Sequence, residues 1–333
     1  MRLSLIIVAS IFIATSNLFG NYSSAHVDIC EVNEYATVVP VEIPECLSQS
    51  PRKDWLFSQD PFFRESYAIF SEEIDDLENF FREHTYMIIK PDGLVNHSFD
   101  RVVRALYEDG YEIVSYDTFE YDLHACKLFW FYQANFFPNS WFPLFEMVLA
   151  DKKSVIFLLR DATECANASQ RLLELKGSTL DRKRDARHIR RRIGAGSGLF
   201  CFIHSPDDSL SMIREWGVVL SRDQIRSLLK HGRHQGDRLA SPDFMRFRND
   251  VYQNYAWHDL DYDKTKMRLC QLAENLESGL REQMLQYVTC DEIPWQDFVA
   301  FIEEHNLQIP QWDLTTFCGN RSEDIQLIQP LIE

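Results

Sequence analysis

Residues 198–217 read GLFCFIHSPDDSLSMIREWG. Leu199–Ile203 is a short apolar run rich in aromatic and β-branched residues, the composition of a buried strand. The run stops at His204. Ser205-Pro206-Asp207-Asp208 is a polar turn, and Ser209–Trp216 follows with Leu210, Ile213 and Trp216 at helical spacing. A histidine where a buried strand ends has a rigid backbone beneath it and a ring able to face a cleft. Taken alone, it is more simply a packing or capping residue.

A second stretch changes that balance. Thr85–Gly93 reads TYMIIKPDG. Tyr86–Ile89 is again strand-like, and Pro91-Asp92-Gly93 is a turn signal that ends it. Lys90 therefore stands at a strand terminus, where its ammonium group can meet a phosphate. Between the two stretches the pattern alternates. A helix is expected around Phe99–Asp109, with Gly110 as its stop, and a strand over Tyr111–Glu120. Two helical segments, Leu123–Tyr132 and Trp141–Ala150, flank the separator Asn135–Ser140. A strand at Ser154–Leu159, a helix at Glu164–Leu175 and the basic segment Asp181–Arg192 precede the histidine strand. This β-α-β-β-α-β order, with extra helices between its second and third strands, predicts an α+β fold: a ferredoxin-like antiparallel sheet flanked by helices.

A strand ending in Lys-Pro-Asp-Gly, then a helix, and far downstream a strand ending in His before an acidic turn and helix, resembles nucleoside diphosphate kinase. The resemblance covers residues 84–225 and implies the same fold. It implies that His204 accepts a phosphoryl group and that Glu215 orients its ring. It gives Lys90, Tyr132, Arg171, Thr179 (or Ser178) and either Arg190 or Arg191 to the nucleotide and its phosphates. Cys201 falls where the family has an asparagine near the sugar and phosphate. Gly198 falls where a small apolar residue packs on the base, opposite an aromatic that is Trp141 or Phe142 here. Pro206 is a departure: it replaces a serine of the family pattern and removes a backbone N–H. The implied activity is ping-pong phosphoryl transfer from a nucleoside triphosphate to a nucleoside diphosphate, with Mg2+ arriving on the nucleotide. The alternative is a degenerate module of the same fold that binds nucleotide or protein without turnover. The family commonly forms homo-oligomers, so a homo-oligomer is among the partners the resemblance implies, and the long flanks of this chain leave that packing open.

The flanks read differently. Leu3–Ile13 is a mostly apolar run after Met1-Arg2, followed by small and polar residues, as in a secretory signal peptide over residues 1–25. Cleavage after Ala25 or Gly20 is expected, with an uncleaved anchor as the alternative. Residues 26–63 carry four prolines and read as an extended arm. Arg64–Arg82 has Tyr67, Phe70, Ile74, Leu77 and Phe81 on one face of a single amphipathic helix. After residue 225 a helical extension is expected over 226–333. It comprises a polar linker at His231–Asp243, a short helix at Phe244–Tyr255, and helical spacing over Lys264–Val288 and Trp295–His305. The tail Gln308–Glu333 is expected to wrap back. A packing or protein-partner role is the default for this unit.

Charge and cysteine usage bound the function. The chain has 333 residues and a net charge of −17, of which −9 falls in residues 1–83, −1 in 84–225 and −7 in 226–333. The cations an anionic ligand needs are therefore concentrated in the middle third, and no nucleic-acid partner is expected. Eight cysteines in an exported chain permit disulfides. Cys30 with Cys46, and a pair among Cys270, Cys290 and Cys318, are the expectation. No Cys/His spacing suits a structural metal.

Overall fold

The computed structural model describes residues 40–132, 141–163, 167–196, 198–232 and 241–322. The leader at 1–25, Cys30, the separator 135–140, Cys165 and the end of the tail lie outside them. From Val41 onward the chain packs as one compact unit.

The predicted sheet is present. Strands β1 (His84–Ile89), β2 (Tyr111–Glu120), β3 (Lys153–Asp161) and β4 (Ile203–His204) lie in the order β2-β3-β1-β4, and every neighbouring pair is antiparallel. β1 is buried from Thr85 to Ile89 because it is central. Its side chains alternate between two layers. Tyr86 faces Trp216 on one side. Phe157, opposite Met87, packs on Phe99 and Phe244 on the other. The predicted helix after β1 is α5 (Phe99–Glu108), preceded by a short α4 (Pro91–Val95). Helices α6 (Leu123–Phe129), α7 (Trp141–Leu149) and α8 (Ala168–Lys176) complete the predicted alternation, α9 (Ile189–Arg192) lies in the basic segment, and α10 (Ser209–Val219) follows β4.

The histidine strand is shorter than its apolar run implies. Gly198–Phe200 is a 3-10 turn, and only Ile203–His204 pairs with β1. The cause is local: Gly198 and Phe202 both adopt positive φ, 57° and 62°. The apolar run is buried without being extended, and period alone does not separate these cases.

The arm is not irregular. Residues Glu45–Leu47 form a 3-10 turn, and α1 (Pro51–Gln59) and α2 (Pro61–Glu73) are regular helices. Ser50 and Asp60 cap them, with Pro51 and Pro61 in the first turn. Proline at that position lacks only an N–H the helix does not use, so the prolines mark helix starts. The single helix expected over Arg64–Arg82 is two, because the chain is extended at Ile74 and Asp76 caps α3 (Leu77–Glu83).

Helix α2 lies across α10 so closely that a Cβ on Gly217 would meet Ser66 Oγ at 2.3 Å. Two buried ion pairs clamp the arm to α10. Arg214 Nε donates to Asp60 at 2.8 Å, and Lys53 Nζ donates to Asp208 at 2.5 Å and to Ser211 at 2.8 Å.

The extension comprises α11 (Arg222–Gly232), α12 (Pro242–Gln253), α13 (Tyr262–Ala273), α14 (Ser278–Thr289), α15 (Trp295–Glu304) and α16 (Gln311–Asn320). The stretch expected as one helix over Lys264–Val288 is α13 and α14, broken before Ser278. Most of the described tail is α16, which packs back onto α7. The 258–259 turn is tied down by His258 N–H donating to the Val95 carbonyl and by the Asn96 amide. Cys46, Cys270, Cys290 and Cys318 are free thiols, so the pair expected among the last three is not formed. No helix among the described residues is long and apolar enough to cross a membrane.

Arg214 and Asp60 are both nearly inaccessible, and removing one partner of such a pair strands the other charge. Arg214→Ala is expected to lower unfolding stability by roughly 3–5 kcal/mol, read as a reduced midpoint in urea.

Candidate functional site

The site begins at the junction of α4 and the segment before β4. Asp92 is fully buried, and its Oδ2 accepts the backbone N–H of Phe202 at 2.9 Å and lies 3.4 Å from Lys90 Nζ. Lys90 N–H donates to the Phe202 carbonyl at 2.8 Å. Gly93 closes the junction, since a Cβ there would lie 2.9 Å from that same carbonyl. The Lys-Pro-Asp-Gly element thus holds Phe202 in a left-handed conformation that a side-chain-bearing residue adopts only under constraint. His204 follows two residues later.

His204 is nearly enclosed. Phe129 and Trp130 present their rings edge-on to it, with centroids at 5.0 and 5.8 Å, and Tyr86 lies at 6.2 Å. Its Nε2 donates to Glu215 at 2.9 Å, and the same carboxylate oxygen accepts the Tyr86 hydroxyl. This arrangement keeps the proton on Nε2 and the lone pair on Nδ1. Burial pushes the His204 pKa below its usual value, with Glu215 opposing and Lys176 reinforcing the shift. The ring is therefore neutral near pH 7, the state in which its nitrogen is nucleophilic.

Three buried cations hold the segments that lead into and out of His204. Lys90 Nζ donates to the Leu199 carbonyl at 3.2 Å. Arg190 donates to the carbonyls of Gly177 and Ile203 at 2.6 and 2.8 Å, and its Nη2 lies 3.7 Å from Cys201 Sγ. Lys176 Nζ donates to the Ser205 carbonyl at 2.9 Å. Burial raises the Cys201 thiol's pKa, but Lys90 and then Arg190 outweigh it and the net shift is downward.

Of the two arginines left open by sequence, Arg190 turns inward, while Arg191 is exposed and pairs with Asp181 at 3.4 Å. Arg184, in a segment that reads as a solvated basic loop, is instead buried and donates to four carbonyls, those of Ser178, Thr179, Ala195 and Gly196. The Thr179 carbonyl also accepts from Gly198 N–H.

Two of the residues expected near the histidine are elsewhere. Arg171 pairs with Asp161 at 3.1 Å, donates to the Asp109 carbonyl and stacks on Tyr111. It sits at the end of β3 that pairs with His84, whereas His204 pairs with Ile88. Five residues of helix, about 7.5 Å, separate it from Lys176 at the other end of α8. Tyr132 donates to Asp60 and lies under Arg214, within the clamp to the arm. Sequence reading missed Lys176, Tyr86 and Asp92 as parts of the site. Lys176 carried one available signal: it is the last residue before Gly177, whose φ of 80° turns the chain.

The family model described as nucleoside diphosphate kinase matches residues 83–225, and this part of the chain is a domain of that family. Solved structures similar to the chain include nucleoside diphosphate kinases of three organisms. That of Aquifex aeolicus is 20% identical, with 41% of this chain and 93% of that chain covered and a TM-score of 0.34. That of Halobacterium salinarum in complex with CDP is 19% identical, with 42% and 92% covered and a TM-score of 0.34. That of Borrelia burgdorferi with bound vanadate and ADP is 15% identical, with 42% and 88% covered and a TM-score of 0.36. No curated protein matches the chain.

Because burial disfavours the imidazolium, His204 is expected to titrate below its ordinary value of 6.5. A proton NMR titration of the His204 ring resonances, assigned with His204→Gln, checks this. The predicted midpoint lies below that of a free histidine, and in Glu215→Gln it falls further.

Proposed function

We propose that the domain transfers a phosphoryl group from a nucleoside triphosphate to a nucleoside diphosphate through His204. The observation that carries this reading is the His204–Glu215 hydrogen bond, which leaves Nδ1 with its lone pair at a strand end whose flanking segments three buried cations hold. In the first half-reaction the Nδ1 lone pair forms an N–P bond to the γ-phosphorus. The bond from that phosphorus to the β–γ bridging oxygen breaks, and its electron pair leaves with the diphosphate. Glu215 holds the Nε2 proton and balances the positive charge that the ring acquires, with Tyr86 fixing the carboxylate. In the second half an oxygen of the acceptor's terminal phosphate attacks the phosphorus, and the N–P pair returns to Nδ1. The transferring group gains negative charge on its oxygens, which Lys90 and Arg190 are placed to stabilise. Mg2+ belongs to the substrate here. Its coordination is mostly through the nucleotide's own phosphates and water.

A second reading, a module that binds without turnover, is favoured by one contact. Trp141 lies against Gly198, so that a Cβ on Gly198 would be 3.3 Å from its ring. Gly198, which the resemblance places on one face of a base, thus adjoins one of the two candidates, Trp141 and Phe142, for the aromatic on the other. The same segment is backed by α16, where a Cβ on Gly319 would meet Phe200 at 2.8 Å.

The readings are separated by incubating the protein with ATP, magnesium and a different nucleoside diphosphate, and measuring the new triphosphate. Transfer is expected in the wild type and none in His204→Ala. Under the second reading the wild type is inactive, and Trp141→Ala, which opens the contact, gains nucleotide affinity.

A further inference from the structure

Lys176 and Arg190 bracket His204 through the backbone. Arg190 holds the carbonyl of Ile203, the residue before the histidine, and Lys176 holds that of Ser205, the residue after it. They also adjoin each other, since Arg190 donates to the carbonyl of Gly177, next to Lys176. That turn is fixed, because a Cβ on Gly177 would strike the His188 ring at 2.6 Å.

The hydrogen bonding of this group is incomplete. Lys176 is 5% exposed and has one hydrogen-bond acceptor among the described residues, the Ser205 carbonyl, for three N–H donors. No carboxylate lies within ion-pair distance of it among the described residues. Among the described residues, Ser205 Oγ and Arg190 Nε are buried without a partner. Buried polar groups are ordinarily satisfied, and the exceptions call for a ligand or another specific cause. Here a cation, a hydroxyl and a guanidinium N–H, each short of an acceptor among the described residues, belong to side chains that hold or form the segment Ile203–Ser205 around one histidine. Their shared deficit is an oxyanion.

We propose that Lys176, with the Ser205 hydroxyl, holds the phosphate that is transferred at His204. Arg171, five residues earlier on the same helix, is committed to Asp161 and the Asp109 carbonyl at the far end of the sheet. Lys176 is the cation that α8 delivers to the histidine. The inference deepens the phosphotransfer reading and rests on its anion-binding half. Four other charged or titratable side chains face Lys176: Arg190, Asp207, Glu215 and Cys201. Lys176 in turn acts on His204. Burial, then the charge of Arg190, lowers the Lys176 pKa to about 8. A bound phosphate favours the charged amine, so binding weakens as pH rises through that value.

The test is titration of the full-length protein with magnesium and the β,γ-imido analogue of ATP, which carries the γ-phosphoryl group and resists its transfer, at pH 7 and at pH 9, for the wild type, Lys176→Met, Lys176→Arg and Ser205→Ala. Methionine fills the buried space without stranding a charge. Circular dichroism and thermal unfolding verify that each variant is folded. At pH 7, Lys176→Met is expected to lose about tenfold or more in affinity, the scale of one charged hydrogen bond. Lys176→Arg retains affinity, and Ser205→Ala loses less than the methionine variant. The wild type weakens at pH 9, whereas Lys176→Arg, charged throughout, weakens less. A folded Lys176→Met that binds this analogue as well as the wild type overturns the inference, as does a wild type that does not bind it. Binding that depends on Lys176 in a protein that transfers no phosphoryl group upholds this inference and overturns the transfer reading. Transfer by a Lys176→Met variant of unchanged affinity does the reverse.

Discussion

The site depends on the carboxylate of Asp92. It is wholly buried, accepts the Phe202 N–H and lies beside Lys90. A buried carboxylate needs such compensation, and here the compensating groups are the two strand ends that build the site. The same bond holds Phe202 at positive φ, and the turn there lets the chain leave the 3-10 segment and enter the sheet as Ile203–His204. One interaction thus fixes the lysine, the bend and the register of the histidine against Ile88.

From that bend the remaining contacts build outward. β4 places His204 against Glu215 on α10, and α10 is held in turn by the arm. Lys53 binds Asp208, which caps α10 through Ser211 N–H, and Arg214 binds Asp60, which caps α2. The arm is therefore a brace behind the catalytic candidate, made of cap residues that serve two helices at once. The extension braces the opposite side. Phe244 of α12 packs on Phe99 and Phe157, and α16 meets the segment Gly198–Phe200. A site enclosed on both sides keeps its imidazole neutral and its cations strong, and leaves little room for a base between Trp141 and Gly198.

The sheet was legible because its central strands are short apolar runs bounded by strong turn residues. β2 and α5 match their sequence expectation closely, with Gly110 as the stop at a φ of 80°. His204 and Lys90 were legible as strand ends, and Glu215 through the resemblance. What was not legible has three physical causes. Prolines 51 and 61 suggest an extended, irregular arm, although with Ser50 and Asp60 before them they start helices. The run Leu199–Ile203 is apolar because it is buried, and its bend comes from a hydrogen bond to a residue more than a hundred positions away. Arg171 and Lys176 both lie on α8, and only the direction of that helix along the sheet decides which one reaches the histidine. Sequence spacing carries no such information.

In the proposed transfer, Glu215 ties up Nε2 and leaves Nδ1 to take the phosphoryl group. Phosphorus–nitrogen correlation NMR on protein labelled with 15N-histidine, recorded after incubation with Mg–ATP, tests it directly. The account predicts one phosphorus coupled to Nδ1 of His204, and none in His204→Gln. Coupling to Nε2, or a folded protein that forms no phosphorus–nitrogen bond, would contradict it.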